Sequence, residues 1–369
     1  MTTVSEALGI NYDDIAHLRN TCQKLAAHPL VALDDEAGQV CANTVRASRI
    51  IARNNRPWLD SIKRRILDAT HSNASSALAE VRAYGALLEI GLPLAPEPSV
   101  AGKKVRPDFE LSDGKTSAVV EAHCKQFDTR ELERLRIFHQ QAEQAGAKLK
   151  ESGKRFHCAT TSVTPLGRPE ASKPSDSILT NAISRICGIK SGERQSDEAK
   201  PFILWLDLQD LTGGGLPIAY EQLAPIYSQL RDGDVGSGAL WYALYGKRDD
   251  PMVESGSPEY RVARMLHHGR FAQSRAVSAV VYSLPRGTVL MEHPDPTHRI
   301  SAMMRASLIG LPFFMLDRSI LEWEPGLVAQ LIELEKTRVQ ATVLALKRYD
   351  DERWADTTDS ECRYLSPGS

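Results

Sequence analysis

No CxxC pair occurs in the 369-residue sequence, and its six cysteines (Cys22, Cys41, Cys124, Cys158, Cys187, Cys362) are scattered. That argues against a disulfide framework and against a zinc knuckle, and it points to a reducing, cytoplasmic setting. The start, MTTVSEALGINYDD, has neither the basic residues nor the apolar stretch of a secretory signal. The most apolar run, Leu308 to Leu316, is too short to span a bilayer and holds Pro312, so no membrane is expected. GxSxG, HExxH, GxxxxGK[ST] and GxGxxG are all missing, which leaves serine hydrolase, zinc protease and phosphate-loop chemistry without support. Gly213-Gly214-Gly215 reads as a turn. Excess charge is lacking too: 45 Lys+Arg against 47 Asp+Glu gives −2, which excludes coating nucleic acid by bulk positive charge.

What remains is globular in proportion, with 42% hydrophobic and 25% charged residues, and long enough for two or three structural units. Residues 1 to about 92 repeat apolar positions at three and four, through Ile50, Ile51, Trp58, Ile62 and Ile66 and then Leu78, Val81, Leu87 and Leu88. That spacing predicts helices, the last capped at Asn73 or Ser75 and stopped at Gly91. After Pro93 the pattern changes. Val105–Leu111 and Ala118–Cys124, separated by Ser112-Asp113-Gly114, predict a hairpin, followed by a charged helix over about 129–151. Further strands are predicted at 156–164, 201–208, 239–245 and 277–284, with helices at 177–190 and 327–349 and a loop at 164–177. The alternation is that of an α/β protein. The boundaries read as a helical region over 1–72, an α/β core over 73–290 and a mainly helical region over 291–369.

An acid embedded in an apolar strand is costly unless a cation meets it, and Glu121 lies inside the run AVVEAHC. Side chains two apart on a strand share a face, so Glu121, His123 and Lys125 line up. Asp108, after Pro107 on the neighbouring strand, approaches Glu121 from the side. Two carboxylates that close call for a proton or a divalent ion, and oxygen ligands suit Mg²⁺ or Mn²⁺. The alternative is an ion pair with an arginine such as Arg106 or Arg82.

These residues resemble the PD-(D/E)XK, or restriction-endonuclease-like, nuclease superfamily: Glu80 on a helix, Pro107-Asp108 at a strand start, and Glu121-Ala122-His123 on the next strand. RPDFEL followed by SAVVEA resembles a set of bacterial proteins in which the motif lysine is often replaced, and ISRICGIK before PFILWLDLQD extends the likeness over about residues 74–210. The resemblance implies a mixed central sheet flanked by helices, with helical additions at both ends. It also implies a Mg²⁺ or Mn²⁺ ion held by Asp108, Glu121 and Glu80, and hydrolysis of nucleic acid, DNA before RNA, with a homodimer left open. This chain departs from the motif in carrying His123 where the lysine belongs. A neutral imidazole can accept a proton from water but carries no fixed charge, so Lys125 or Lys190 is left as its source. A non-cleaving copy of the fold, used as an interaction module, fits the same residues.

Two basic stretches offer contacts to a polyanion. One holds Arg46, Arg49, Arg53, Arg56, Lys63, Arg64 and Arg65. The other holds Arg261, Arg264, His267, His268, Arg270 and Arg275. Aromatic interleaving is confined to Trp58 and Phe271, and a solvated charged face is the usual reading of such a run. The dipeptides His123-Cys124 and His157-Cys158 cannot each present both side chains to one metal, because neighbours on a strand face opposite ways.

Overall fold

The computed structural model describes residues 2–22, 28–35, 38–97, 106–124, 141–151 apart from 143, 186–189, 199–209, 227–229, 234–236, 238–256, 259–285 and 287–309, with a few isolated positions. The chain divides into two compact units, the first comprising Met1–Pro169, Lys190–Ile218 and Arg275–Leu321, and the second Glu170–Ile189, Ala219–Ser274 and Glu322–Ser369.

In the first unit the helical periodicity is realised as α1 (Val4–Leu8), α2 (Tyr12–Cys22), α3 (Pro29–Asp35), α4 (Gln39–Asn54), α5 (Arg56–Ile66) and α6 (His71–Glu89). Helix α6 packs on α4, α5 and the sheet, which is why apolar and small residues run almost continuously from Ala74 to Leu87. Its approach to α4 is backbone-close: a Cβ on Gly85 would stand 2.5 Å from the Ala47 Cα. The helix begins earlier than Asn73 or Ser75. The Asp68 carboxylate accepts the Thr70 N–H at 2.8 Å and the Asn73 side-chain amide at 3.0 Å, which fixes the chain's entry one turn upstream. Asn73 and Ser75 therefore lie inside α6.

A six-stranded mixed sheet follows, its strands lying in the order Leu94–Pro96, Phe109–Ser112, Ser117–Cys124, Phe202–Asp207, Val277–Leu284 and Gly287–Glu292. Its first strands are β1 (Leu94–Pro96), β2 (Phe109–Ser112) and β3 (Ser117–Cys124), an antiparallel meander. The predicted hairpin is present, with its first arm starting at Phe109. Its turn is held by the Asp113 carboxylate, which accepts the N–H groups of Lys115 at 2.9 Å and Thr116 at 2.7 Å, while Gly114 takes φ +85°. Strand β4 (Phe202–Asp207) runs parallel to β3 and is buried along its whole length, as its unbroken apolar run requires.

In the second unit β5 (Tyr227–Gln229) pairs with β6 (Asp234–Gly236), α7 spans Ala239–Tyr245, β7 (Pro251–Gly256) pairs with β8 (Glu259–Arg264), and α8 spans Arg270–Gln273. The strand predicted at 239–245 is thus a helix. Within ALWYALY the residues from Leu240 to Tyr245 are all buried, and a short run that is apolar on every side carries no period to separate helix from strand. Back in the first unit, β9 (Val277–Leu284) lies parallel to β4, β10 (Gly287–Glu292) antiparallel to β9, and α9 (Ala302–Ile309) packs on β10.

The architecture is therefore mixed α/β with an open mixed sheet. One hydrophobic core runs from Val4 through α6 and the sheet to Leu308. Residues 144–151 are helical, as expected of the segment after β3. The strand expected at 156–164, the loop at 164–177, Lys125 and Lys190 lie outside the described residues, as does all but 186–189 of the helix at 177–190 and all but 337, 340, 341 and 344, which are helical, of the helix at 327–349. Among the described residues no helix is long and apolar enough to cross a membrane.

Candidate active site

The β2–β3 register sets the site. Phe109 stands opposite Val120, which brings Asp108, one residue before β2, alongside Glu121. The Asp108 carboxylate accepts the Ala122 N–H at 2.7 Å, so its position is tied to β3 itself. Glu121 is buried in the strand, and the face shared by alternate residues is realised: His123 Nε2 lies 2.7 Å from Glu121 Oε1. An ionised carboxylate only accepts, so in the neutral imidazole this bond places the proton on Nε2 and leaves Nδ1 as the acceptor.

Glu80 reaches the same place from α6. Its two oxygens take a fork from Arg65 of α5, Nη1 to Oε2 and Nη2 to Oε1, both at 2.6 Å. Helix α5 presents Arg65 because Leu59, Ile62 and Ile66 face inward and the Asn55 side chain caps the helix start at the Trp58 N–H. Aromatic rings brace the arrangement from below. Trp58 meets Tyr84 at 4.5 Å between centroids, and Tyr84 stacks on Phe109 at 5.1 Å, linking α5, α6 and β2. The result is a cleft of about 240 Å³ lined by Trp58, Arg65, Glu80, Glu97, Arg106 and Asp108. Glu97, just after β1 and at φ +47°, joins the wall through its N–H, which donates to the Asp108 carbonyl at 2.7 Å.

Negative charge exceeds positive charge here. Burial, then the neighbouring Glu80 and Glu121 carboxylates, push the Asp108 carboxyl up to about 8, against the pull of the Ala122 N–H and Arg65. Burial also raises Glu80, and the Arg65 fork opposes it. Asp108 is therefore largely protonated at neutral pH unless a further cation joins the cluster.

Asp108 lies within electrostatic reach of Glu80 and Glu121, and Glu121 meets His123, while of these four only Glu80 and Asp108 line the cleft. Glu80, expected as a third metal ligand, spends both oxygens on Arg65. Among the described residues no group of three His, Cys, Asp or Glu side chains is placed to hold a metal ion. Two carboxylates are nevertheless a fitting donor set for Mg²⁺, which keeps several waters and is commonly held by one or two carboxylates together with substrate phosphates. Arg82, considered as a partner for Asp108 or Glu121, instead grips Asp207 at the end of β4, Nε to Oδ2 and Nη2 to Oδ1, both at 2.9 Å.

Much of the first basic stretch is committed to ion pairs. Arg46 meets Glu89 at 2.7 Å, Arg56 and Lys63 share Asp60 at 3.2 and 2.8 Å, and Arg65 holds Glu80. In the sequence Arg65 is only one member of a basic stretch, and its role is not visible there; an acid fifteen residues on, across a helix–helix contact, leaves no local signal. Glu97 was also missed. Its context, Pro96-Glu97-Pro98, marks only a rigid bend. Comparison with known protein families, with curated proteins and with solved structures finds no match for this chain.

Proposed function

We propose that this carboxylate cluster is a phosphodiester-hydrolysing site acting on nucleic acid, on a restriction-endonuclease-like core. One observation carries the reading: the Asp108 carboxylate, bonded to the Ala122 N–H at 2.7 Å, lines a cleft with Glu80 and stands opposite the neighbouring strand's Glu121. The order of parts supports it, with an acid on α6, Pro-Asp at the start of β2, an acid within β3 and helical residues after it. Asp108 and Glu121 would hold Mg²⁺ or Mn²⁺, and the ion would supply an acidified water and charge to shield a phosphate. His123, oriented by Glu121, accepts a proton at Nδ1. Arg65 contributes positive charge at the cleft that the motif position itself lacks.

The second reading is favoured by one feature: an arginine already caps Glu80, as in a copy of the fold that binds nucleic acid without cutting it. A panel of single- and double-stranded DNA and RNA, incubated with Mg²⁺ or Mn²⁺, separates the two. Hydrolysis by the intact chain that vanishes in Asp108→Ala, with unchanged circular dichroism, supports the enzyme. Binding that weakens steeply with salt, without hydrolysis, supports the module. Neither cutting nor binding overturns both.

A further inference from the structure

The second unit carries a cleft of the opposite character, about 380 Å³ in volume, lined by Gly188, Arg248, Leu266, His267, His268 and Gln273 together with the Cys187 thiol. It is built between the segment after α7 and the segment joining β8 to α8, which touch through bare backbone. The Gly269 N–H donates to the Gly246 carbonyl at 2.7 Å, and a Cβ on Gly269 would stand 2.6 Å from the Leu244 carbonyl oxygen. Asp249 and Met265 add a further rung at 2.9 Å, and the Asp250 carboxylate turns back onto the Lys247 N–H at 2.6 Å.

The lining is a set of donors. Among the described residues neither the Arg248 guanidinium nor the His267 ring has a hydrogen-bond or ion-pair partner, and both are exposed. The His268 Nδ1 accepts the Arg248 N–H at 3.3 Å, so in the neutral ring Nε2 carries the proton and donates. Gln273 is anchored by its Nε2, which donates to the His268 carbonyl at 2.5 Å. No carboxylate is among the lining residues. A metal is a poor occupant: burial pushes the Cys187 thiol up to about 12, and that thiol donates to the Ala243 carbonyl at 3.6 Å. Leu266, 53% exposed, adds an apolar wall.

We propose that this cleft binds a phosphate monoester. Such a group offers only acceptors, matching a guanidinium fork with imidazole and amide donors, while Leu266 faces the attached organic part. The group can come from a free phosphorylated molecule or from the phosphorylated end of a nucleic acid. This binding does not depend on hydrolysis at the carboxylate cluster.

The test uses the full chain in EDTA, so that no hydrolysis intervenes, and titrates inorganic phosphate, 5′-AMP and one oligonucleotide with and without a 5′-phosphate. Heat and the imidazole NMR signals are followed in the intact protein and in Arg248→Glu. The expected result is saturable binding that shifts the His267 and His268 signals and weakens roughly 10- to 100-fold in Arg248→Glu. Binding of phosphate and 5′-AMP identifies a free molecule as the source, whereas binding of the phosphorylated oligonucleotide alone identifies a nucleic-acid end. Absence of saturable binding, equal affinity in Arg248→Glu, or affinity indifferent to the 5′-phosphate overturns the proposal.

Discussion

Two arginine–carboxylate pairs leave α6 from positions only two residues apart, and they live in different worlds. Arg82 and Asp207 are 2% and 0% exposed, sealed between the helix and the end of β4. Arg65 and Glu80 are 51% and 10% exposed, at the mouth of a cleft. The helical turn explains the divergence: residues two apart point about 200° from one another, so Glu80 faces α5 and the cleft while Arg82 faces the sheet. A sealed fork has no competitor for its partner. An open fork can trade its carboxylate for water, an ion or a phosphate, which suits the half-open pair to the proposed site and the buried one to the scaffold.

The largest expected effect breaks the sealed pair. Arg82→Ala leaves Asp207 buried without its counter-charge, at a cost of about 3–5 kcal/mol. Urea denaturation checks this against intact protein. A loss no larger than that of Arg65→Ala would erase the contrast between the two pairs.

That buried pair also shows where reading a sequence stops. Strand β4 was legible because it is a nearly continuous apolar run, β3 because it is a short run holding the β-branched Val119 and Val120, and the hairpin because Ser112-Asp113-Gly114 specifies its own turn locally. The alignment of Glu121 with His123 followed from the period of a strand, and the approach of Asp108 from the hairpin. Pairing between distant segments was not legible. Arg82 and Asp207 are separated by 125 residues, and nothing local says which acid an arginine on α6 will meet. The same holds for Arg65, whose commitment to Glu80 depends on how α5 lies across α6.

A second prediction concerns Asp108, the carboxyl that the open pair leaves uncompensated. In the folded protein it holds its proton up to about 8, whereas in the unfolded chain it releases it near 4. Between those values the folded state binds more protons, so stability falls as pH rises through this window. The ceiling is on the order of 5 kcal/mol, and coupling to the neighbouring Glu80 lowers it. Asp108→Asn removes the proton from the linkage. Urea midpoints in EDTA should then show the variant matching intact protein near pH 4 and exceeding it at pH 8.5; parallel curves would show that Asp108 is ionised throughout.

The smallest effect tests the open pair. Because Arg65 is half-exposed, Arg65→Ala should cost only about 1 kcal/mol, and adding Glu80→Gln should recover part of it by removing the stranded charge. Its consequence for metal binding runs the other way. Without the guanidinium the cluster loses a positive charge and Glu80 regains both oxygens, so Mn²⁺ measured by calorimetry should bind more tightly to Arg65→Ala than to intact protein. If the affinity falls instead, Arg65 is holding the carboxylates in the geometry the ion requires, and the open pair is as structural as the sealed one.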